Sequence, residues 1–137
     1  MQISSFIFNE ENILISRSGY TGEDGFELSI SNAQIKNIVA QLSDHSDILH
    51  CGLGCRDSLR LEAGLCLYGN ELNENISPIE ANLKWAISKS RINTGGFPGY
   101  KKIKSQLKKG VNKLRVGIKP GNRIIAREKT KIFNKDN

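Results

Sequence analysis

Four side chains stand out as possible ligand contacts: Tyr20, Glu27, Arg56 and Trp85. Glu27 follows a glycine-rich stretch, and its two oxygens can accept a pair of parallel N–H donors. The plainer reading is an exposed carboxylate on the wet face of a strand. Arg56 carries a planar guanidinium suited to bidentate contact with a carboxylate. With Asp57, Arg60, Glu62 and the nearby Glu71 it reads more simply as part of a set of surface ion pairs of little energetic worth, with Arg60 set against Asp57 or Glu62. Tyr20 can stack on or hydrogen-bond a ligand at its turn, or anchor that turn to the core. Trp85, the only tryptophan, is either a core residue or a ligand platform. Cys51 and Cys55, with His50 beside them, raise the question of a metal. A fourth ligand at zinc spacing is absent, so the reading is no metal and three small buried thiols, Cys66 included, kept reduced.

Hydrophobic periodicity outlines the elements that position these residues. Residues 4–8 and 12–17 are β-branched and aromatic runs around a turn-like Asn9-Glu10-Glu11-Asn12, which predicts a hairpin. Residues 25–30 alternate Phe26, Leu28 and Ile30 with Glu27 and Ser29, the pattern of a half-buried strand. Glu23 and Asp24 sit in the turn, where acids bond local backbone. Gly22 and Gly25 fit positions that need a positive φ.

Ser31 with Gln34 three residues on reads as a capping box. It opens a helix with Ile35, Ile38, Val39 and Leu42 on one stripe. A second helix is expected from about Leu53 to Ala63, stopping at Gly64, with Arg56, Arg60 and Ala63 on one stripe. Trp85 lies in a short apolar segment, residues 83–87, and Gly95-Gly96 reads as a flexible break. A third helix follows Pro98, with Tyr100, Ile103 and Leu107 on its apolar stripe and Gly110 as its stop. Residues 114–118 and 130–133 read as strands.

The 137 residues carry a net charge of +6 and a mean hydropathy of −0.38. No apolar run approaches the roughly 18 residues that span a bilayer, so no membrane role is read. The charge is sharply divided. Residues 1–83 hold 4 basic against 12 acidic side chains, a net −8, and residues 84–137 hold 16 against 2, a net +14. Sparse aromatics and the lack of any recognisable motif in the basic half argue against nucleic acid. A solvated lysine face is the simple reading, and attraction of an acidic protein or an anionic ligand tail is the alternative.

Residues 16–27 read Ser-Arg-Ser-Gly-Tyr-Thr-Gly-Glu-Asp-Gly-Phe-Glu, and residues 52–69 read Gly-Leu-Gly-Cys-Arg-Asp-Ser-Leu-Arg-Leu-Glu-Ala-Gly-Leu-Cys-Leu-Tyr-Gly. Together they resemble the signature of the folate-dependent aminomethyltransferases, the T-proteins of the glycine cleavage system. Pro78-Ile79-Glu80 ahead of Trp85, Phe97-Pro98-Gly99 ahead of a helix, and Arg115-Val116-Gly117-Ile118 extend the likeness over nearly the whole chain.

The resemblance implies tetrahydrofolate as cofactor. It assigns Glu27, seven residues after Tyr20, to the pterin, whose amine and ring N–H lie side by side. It assigns Arg56, here in Cys55-Arg56-Asp57 where the family has alanine first, to the folate glutamyl tail. It also implies folate contacts for Tyr20 and Trp85. The activity implied is release of ammonia and transfer of a one-carbon unit to tetrahydrofolate from the aminomethyl-lipoyl arm of the acidic H-protein. In that family these motifs lie mid-chain and the key aspartate lies upstream of them. The expectation is therefore a central and C-terminal piece with no catalytic residue of its own, inactive alone, that self-associates or needs a complementing polypeptide. Two alternatives stay open: a related folate-binding protein of the same fold family, and a non-enzymatic remnant that binds an acidic protein.

The fold expected is α+β, with mostly antiparallel strands and about three helices. Residues 1–110 would form a folate-binding domain incomplete at its start, and residues 111–137 the beginning of a β-barrel-like domain. The location implied is bacterial cytoplasm, or the mitochondrial matrix in a eukaryote.

Overall fold

The computed structural model describes residues 2–121, 125–127 and 129–133, which fall into two units, Met1–Asn73 and Glu74–Asn137. In the first unit the predicted hairpin forms from β1 (Ile3–Phe8) and β2 (Glu11–Ser16). Its turn is the two residues Asn9 and Glu10, at φ 48° and 66°. Two left-handed residues match the right-handed twist of the strands they join. β3 (Glu27–Ser29) pairs antiparallel with β2, giving a three-stranded sheet in the order β1-β2-β3.

The register sets Ser4 opposite Ile15, Phe6 opposite Ile13, and Ile15 opposite Leu28. One face thus carries Phe6, Ile13, Ile15 and Leu28, and the other carries Ile3, Ile7, Leu14 and Glu27. The first face opens onto a cleft of about 540 Å³ lined by Phe6, Ile15, Phe26, Leu28 and Leu42, among others. The alternation at 25–30 holds, but the half-burial does not. Ile30 is half-buried, while Phe26 and Leu28 are exposed because the cleft beside them is open.

Two helices complete the unit, α1 (Ile35–Ser43) and α2 (Leu53–Glu62). The capping box does not form. The helix starts four residues after Ser31, its N-cap Gln34 makes no side-chain bond, and the Ser31 hydroxyl donates to Glu11 instead. Gly64, at φ 72°, ends the second helix as expected.

The second unit contains a single 3-10 turn over Lys84–Ala86, then α3 (Lys89–Thr94) and α4 (Tyr100–Lys109). α3 is an unforeseen fourth helix, capped by the Ser88 hydroxyl, which accepts from the Arg91 amide. Gly95-Gly96 breaks the chain between the two helices, and a Cβ on Gly95 would lie 2.6 Å from the Tyr100 ring, so the chain crosses under that ring. α4 runs between Gly99 and Gly110 with Ile103 buried, as its apolar stripe predicts.

Residues 114–118 and 130–133 are not strands. Strand propensity is realised only against a partner, and among the described residues none pairs with them. Residue 115 is nonetheless held: its amide donates to the Glu80 carbonyl and its Nε to the Ala81 carbonyl.

Each unit buries little. Ile13 and Ile38 in the first, and Ala81 and Ile103 in the second, are the buried apolar residues among those described. Among the described residues no helix is long and apolar enough to cross a membrane.

Candidate functional site

Tyr20 and Arg56 meet. The glycine-rich turn after β2 presents the Tyr20 ring, and the Arg56 guanidinium carbon from the first turn of α2 lies 4.8 Å from its centroid. The Tyr20 hydroxyl donates to the carbonyl of Cys66, in the segment leaving α2. The anchoring reading of Tyr20 thus holds through its hydroxyl, while its ring faces the cation of Arg56. The approach is close because Gly22 permits it. Gly22 sits at φ 81°, and an added Cβ would lie 2.6 Å from the Ala63 Cβ. Gly25, read as a second left-handed glycine, is not in that region.

Glu27 begins β3, exposed, opposite Ser16. The Ser18 hydroxyl donates to its Oε2, and Ser18 is itself 2.7 Å from the Ser16 hydroxyl. Nothing among the described residues donates to Oε1. Arg56 likewise keeps its guanidinium donors without an acceptor among the described residues. An open carboxylate oxygen and an open guanidinium fork therefore sit at the two ends of the Ser18–Tyr20 turn. Glu27 is on the sheet face opposite the cleft of Phe6 and Leu28, so that cleft is a separate feature.

Arg60 corrects the surface-pair reading. It is 3% exposed, and its guanidinium donates to Asp57 at 2.8 Å, to Glu71 at 2.9 Å and to the Leu65 carbonyl at 3.1 Å. The Asp57 carboxylate, helped by Glu71, raises its pKa further. Burial alone would raise the Glu71 carboxyl, but the Leu67 amide and Arg60 outweigh it and hold it below the ordinary value. This cluster folds residues 65–71 back onto α2, and so positions the Cys66 carbonyl that Tyr20 grips. Asp24, a turn acid as predicted, pairs with Arg17 at 2.5 Å, which lowers its pKa.

Trp85 is 78% exposed on the 3-10 turn of the second unit, so the core reading fails. It lines a surface pocket with Lys84, Ile87, Lys89 and Ile92. The buried-thiol reading also fails in part: Cys51 and Cys55 are exposed and only Cys66 is half-buried. Ser18, which holds Glu27, was not singled out from sequence, because an isolated serine beside a turn carries no signal of its own.

A family model, "GCVT N-terminal domain", matches residues 1–91, about two thirds of the chain. The chain belongs to this family. Both motif segments fall inside the matched residues. Aminomethyltransferase, mitochondrial, of Dictyostelium discoideum is 52% identical over 112 residues, covering 77% of this chain and 28% of its own. The protein of that name from Saccharomyces cerevisiae is also 52% identical, over 78% of this chain. The crystal structure of glycine cleavage system aminomethyltransferase T from Bartonella henselae aligns with a TM-score of 0.68 and 44% identity, over 72% of this chain and 27% of that one. The family's α+β fold is thus the fold of this chain, which spans about 28% of the length of the curated relatives it matches.

Proposed function

We propose that this chain supplies part of the folate site of an aminomethyltransferase of the glycine cleavage system. The observation that carries the reading is the apposition of the two motif segments, with Arg56 on the Tyr20 ring and the Tyr20 hydroxyl on the Cys66 carbonyl. Glu27 would take the paired N–H groups of the pterin through its open oxygen, while Ser18 fixes its rotamer. Arg56 would take a carboxylate of the glutamyl tail, and Tyr20 would hold Arg56 in place. Trp85, exposed on the second unit, offers an aromatic face on which a folate ring could stack. Tetrahydrofolate supplies the nitrogens that accept the one-carbon unit; the residues described orient it and neutralise its charge.

The donor would be the aminomethyl-lipoyl arm of an acidic H-protein. α4 exposes Lys101, Lys102, Lys104, Lys108 and Lys109, a surface suited to that partner and to steering it electrostatically. The same lysines are what a purely protein-binding role would use. The division into a folate-binding domain over residues 1–110 and a following domain over 111–137 belongs to this proposal, as does a location in the mitochondrial matrix or, in a bacterium, the cytoplasm.

With Glu27 and Arg56 exposed, the 137 residues alone should bind folate weakly and turn nothing over. Calorimetric titration with 5-formyl-tetrahydrofolate beside Glu27→Ala tests the reading. Weak binding that the variant loses supports it, and equal binding by both proteins, or none by either, overturns it.

A further inference from the structure

The sheet of the first unit ends on β1, and that edge is bare. The Arg17 amide donates to the Gln2 carbonyl, so the backbone polar groups of Gln2 face β2. Alternation along the antiparallel ladder turns those of Ser4, Phe6 and Phe8 the same way. The N–H and C=O groups of Ile3, Ser5 and Ile7 therefore point away from the sheet. Among the described residues no strand pairs with them. Edges of this kind are ordinarily blunted by a charge, a proline, a bulge or shortness. β1 has none of these: it reads Ile-Ser-Ser-Phe-Ile-Phe over six residues, in unbroken register with β2. The opposite edge, β3, is three residues long and begins with Glu27. β1 also holds apolar side chains in solvent, with Ile3 at 67% and Ile7 at 76% exposure.

We infer that β1 pairs antiparallel with β1 of a second copy of this chain, about a two-fold axis at Ser5. The strand's own sequence selects that occupant. Ile3 and Ile7 lie equally far from Ser5, so this register sets Ile3 of each copy against Ile7 of the other. Ser5 meets Ser5, and Phe6 meets Ser4. Every outward N–H and C=O of Ile3, Ser5 and Ile7 then has a partner. A slip by two residues either way sets an isoleucine against a serine instead, and loses the Ile–Ile pairs that stabilise the joined sheets. The strand carries no charge, so no like charges are brought face to face. The contact is isologous and closes at a dimer. On the other face, the cleft of about 540 Å³ reaches this edge through Gln2, Ser4 and Phe6. Phe6 of the second copy, opposite Ser4, lies along that rim and covers apolar surface there. An edge of six residues is a small interface, at or below the roughly 1,200 Å² where standard interfaces begin, so the dimer is weak. This inference goes beyond the folate reading and does not rest on it.

The test is sedimentation equilibrium of the 137-residue chain under reductant, from about 10 μM to about 1 mM. A monomer–dimer equilibrium is expected. Residues 1–73 hold 4 basic and 10 acidic side chains, a net −6, so two such units repel. Raising salt from about 0.05 M to about 0.5 M should therefore preserve or strengthen the dimer. Association between the acidic part of one copy and the lysines of another would instead dissolve. Ile7→Lys, at an exposed position, should keep the circular dichroism of the fold and weaken dimerisation about tenfold or more. The register has its own readout, in a background with Cys51, Cys55 and Cys66 changed to serine. There Ser5→Cys should oxidise to a disulfide-linked dimer faster than Ser29→Cys on the far edge, because only residue 5 meets its own counterpart. A chain monomeric at about 1 mM, a dimer that salt dissolves, or species larger than a dimer overturns the inference. So does a dimer that folded Ile7→Lys leaves intact, or equal oxidation of the two cysteine variants.

Discussion

The two ends of α2 put the same residue type to opposite uses. At the end of the helix Arg60 is buried, with Asp57, Glu71 and the Leu65 carbonyl on its donors. At its start Arg56 is exposed and rests on a tyrosine face without an acceptor among the described residues. Four residues apart on one stripe, the first arginine ties the returning chain to the helix and the second stays available for a ligand. A buried cation has already exchanged its water for fixed partners, so little remains for a ligand to gain. A half-partnered surface cation keeps its donors and is merely oriented.

The sharpest way to break this contrast is Arg60→Met. It leaves Asp57 and Glu71 facing a lost partner and should lower the melting temperature by more than about 10 °C. The acid limb refines the same point. The Glu71 carboxyl is depressed in the folded state, so its contribution to stability is present above its unfolded value of about 4.3. That contribution disappears as the pH falls through the lower folded value. Melting curves between about pH 5 and pH 3 should show that loss in the wild type and a flatter profile in Arg60→Met. A variant as stable as wild type would mean that Arg60 is not structural.

Next in size is Gly22→Ala, which combines a positive φ with a Cβ 2.6 Å from Ala63. It should cost roughly 2–3 kcal/mol in denaturant unfolding and push the Tyr20 turn off α2. Full stability would show that the two segments need not approach so closely. The smallest stability effect is expected for Arg56→Gln, within about 0.5 kcal/mol. Its ligand affinity should nonetheless fall roughly tenfold, about 1.4 kcal/mol, in calorimetry. A large loss of stability there would erase the distinction between the two arginines.

How much of this was legible in the sequence depends on the range of the forces involved. The β1–β2 hairpin and α4 were readable because alternation, turn residues and flanking glycines are local signals. The union of Tyr20 with α2 was readable only as two motifs, since nothing in the sequence states that residues 20 and 66 touch. Arg60 was misread because one of its partners, Glu71, is eleven residues away and reaches it only once residues 65–71 fold back. Sequence could not choose between the core and platform readings of Trp85, because a large apolar residue is normally buried, and here the unit that carries it leaves it in solvent. Residues 114–118 and 130–133 have strand composition, but composition cannot supply a neighbouring strand.

The Tyr20 turn and the first turn of α2 meet at one corner, apart from the apolar cleft on the other sheet face, and we propose that the folate ligand binds at that corner. The most direct test is residue-resolved NMR of the 137-residue chain titrated with 5-formyl-tetrahydrofolate. The account predicts chemical-shift changes concentrated at Ser18, Tyr20, Glu27 and Arg56, with Phe6, Ile15 and Leu28 unmoved. Shifts confined to the cleft of Phe6, Ile15 and Leu28, or none at saturating ligand, would contradict it.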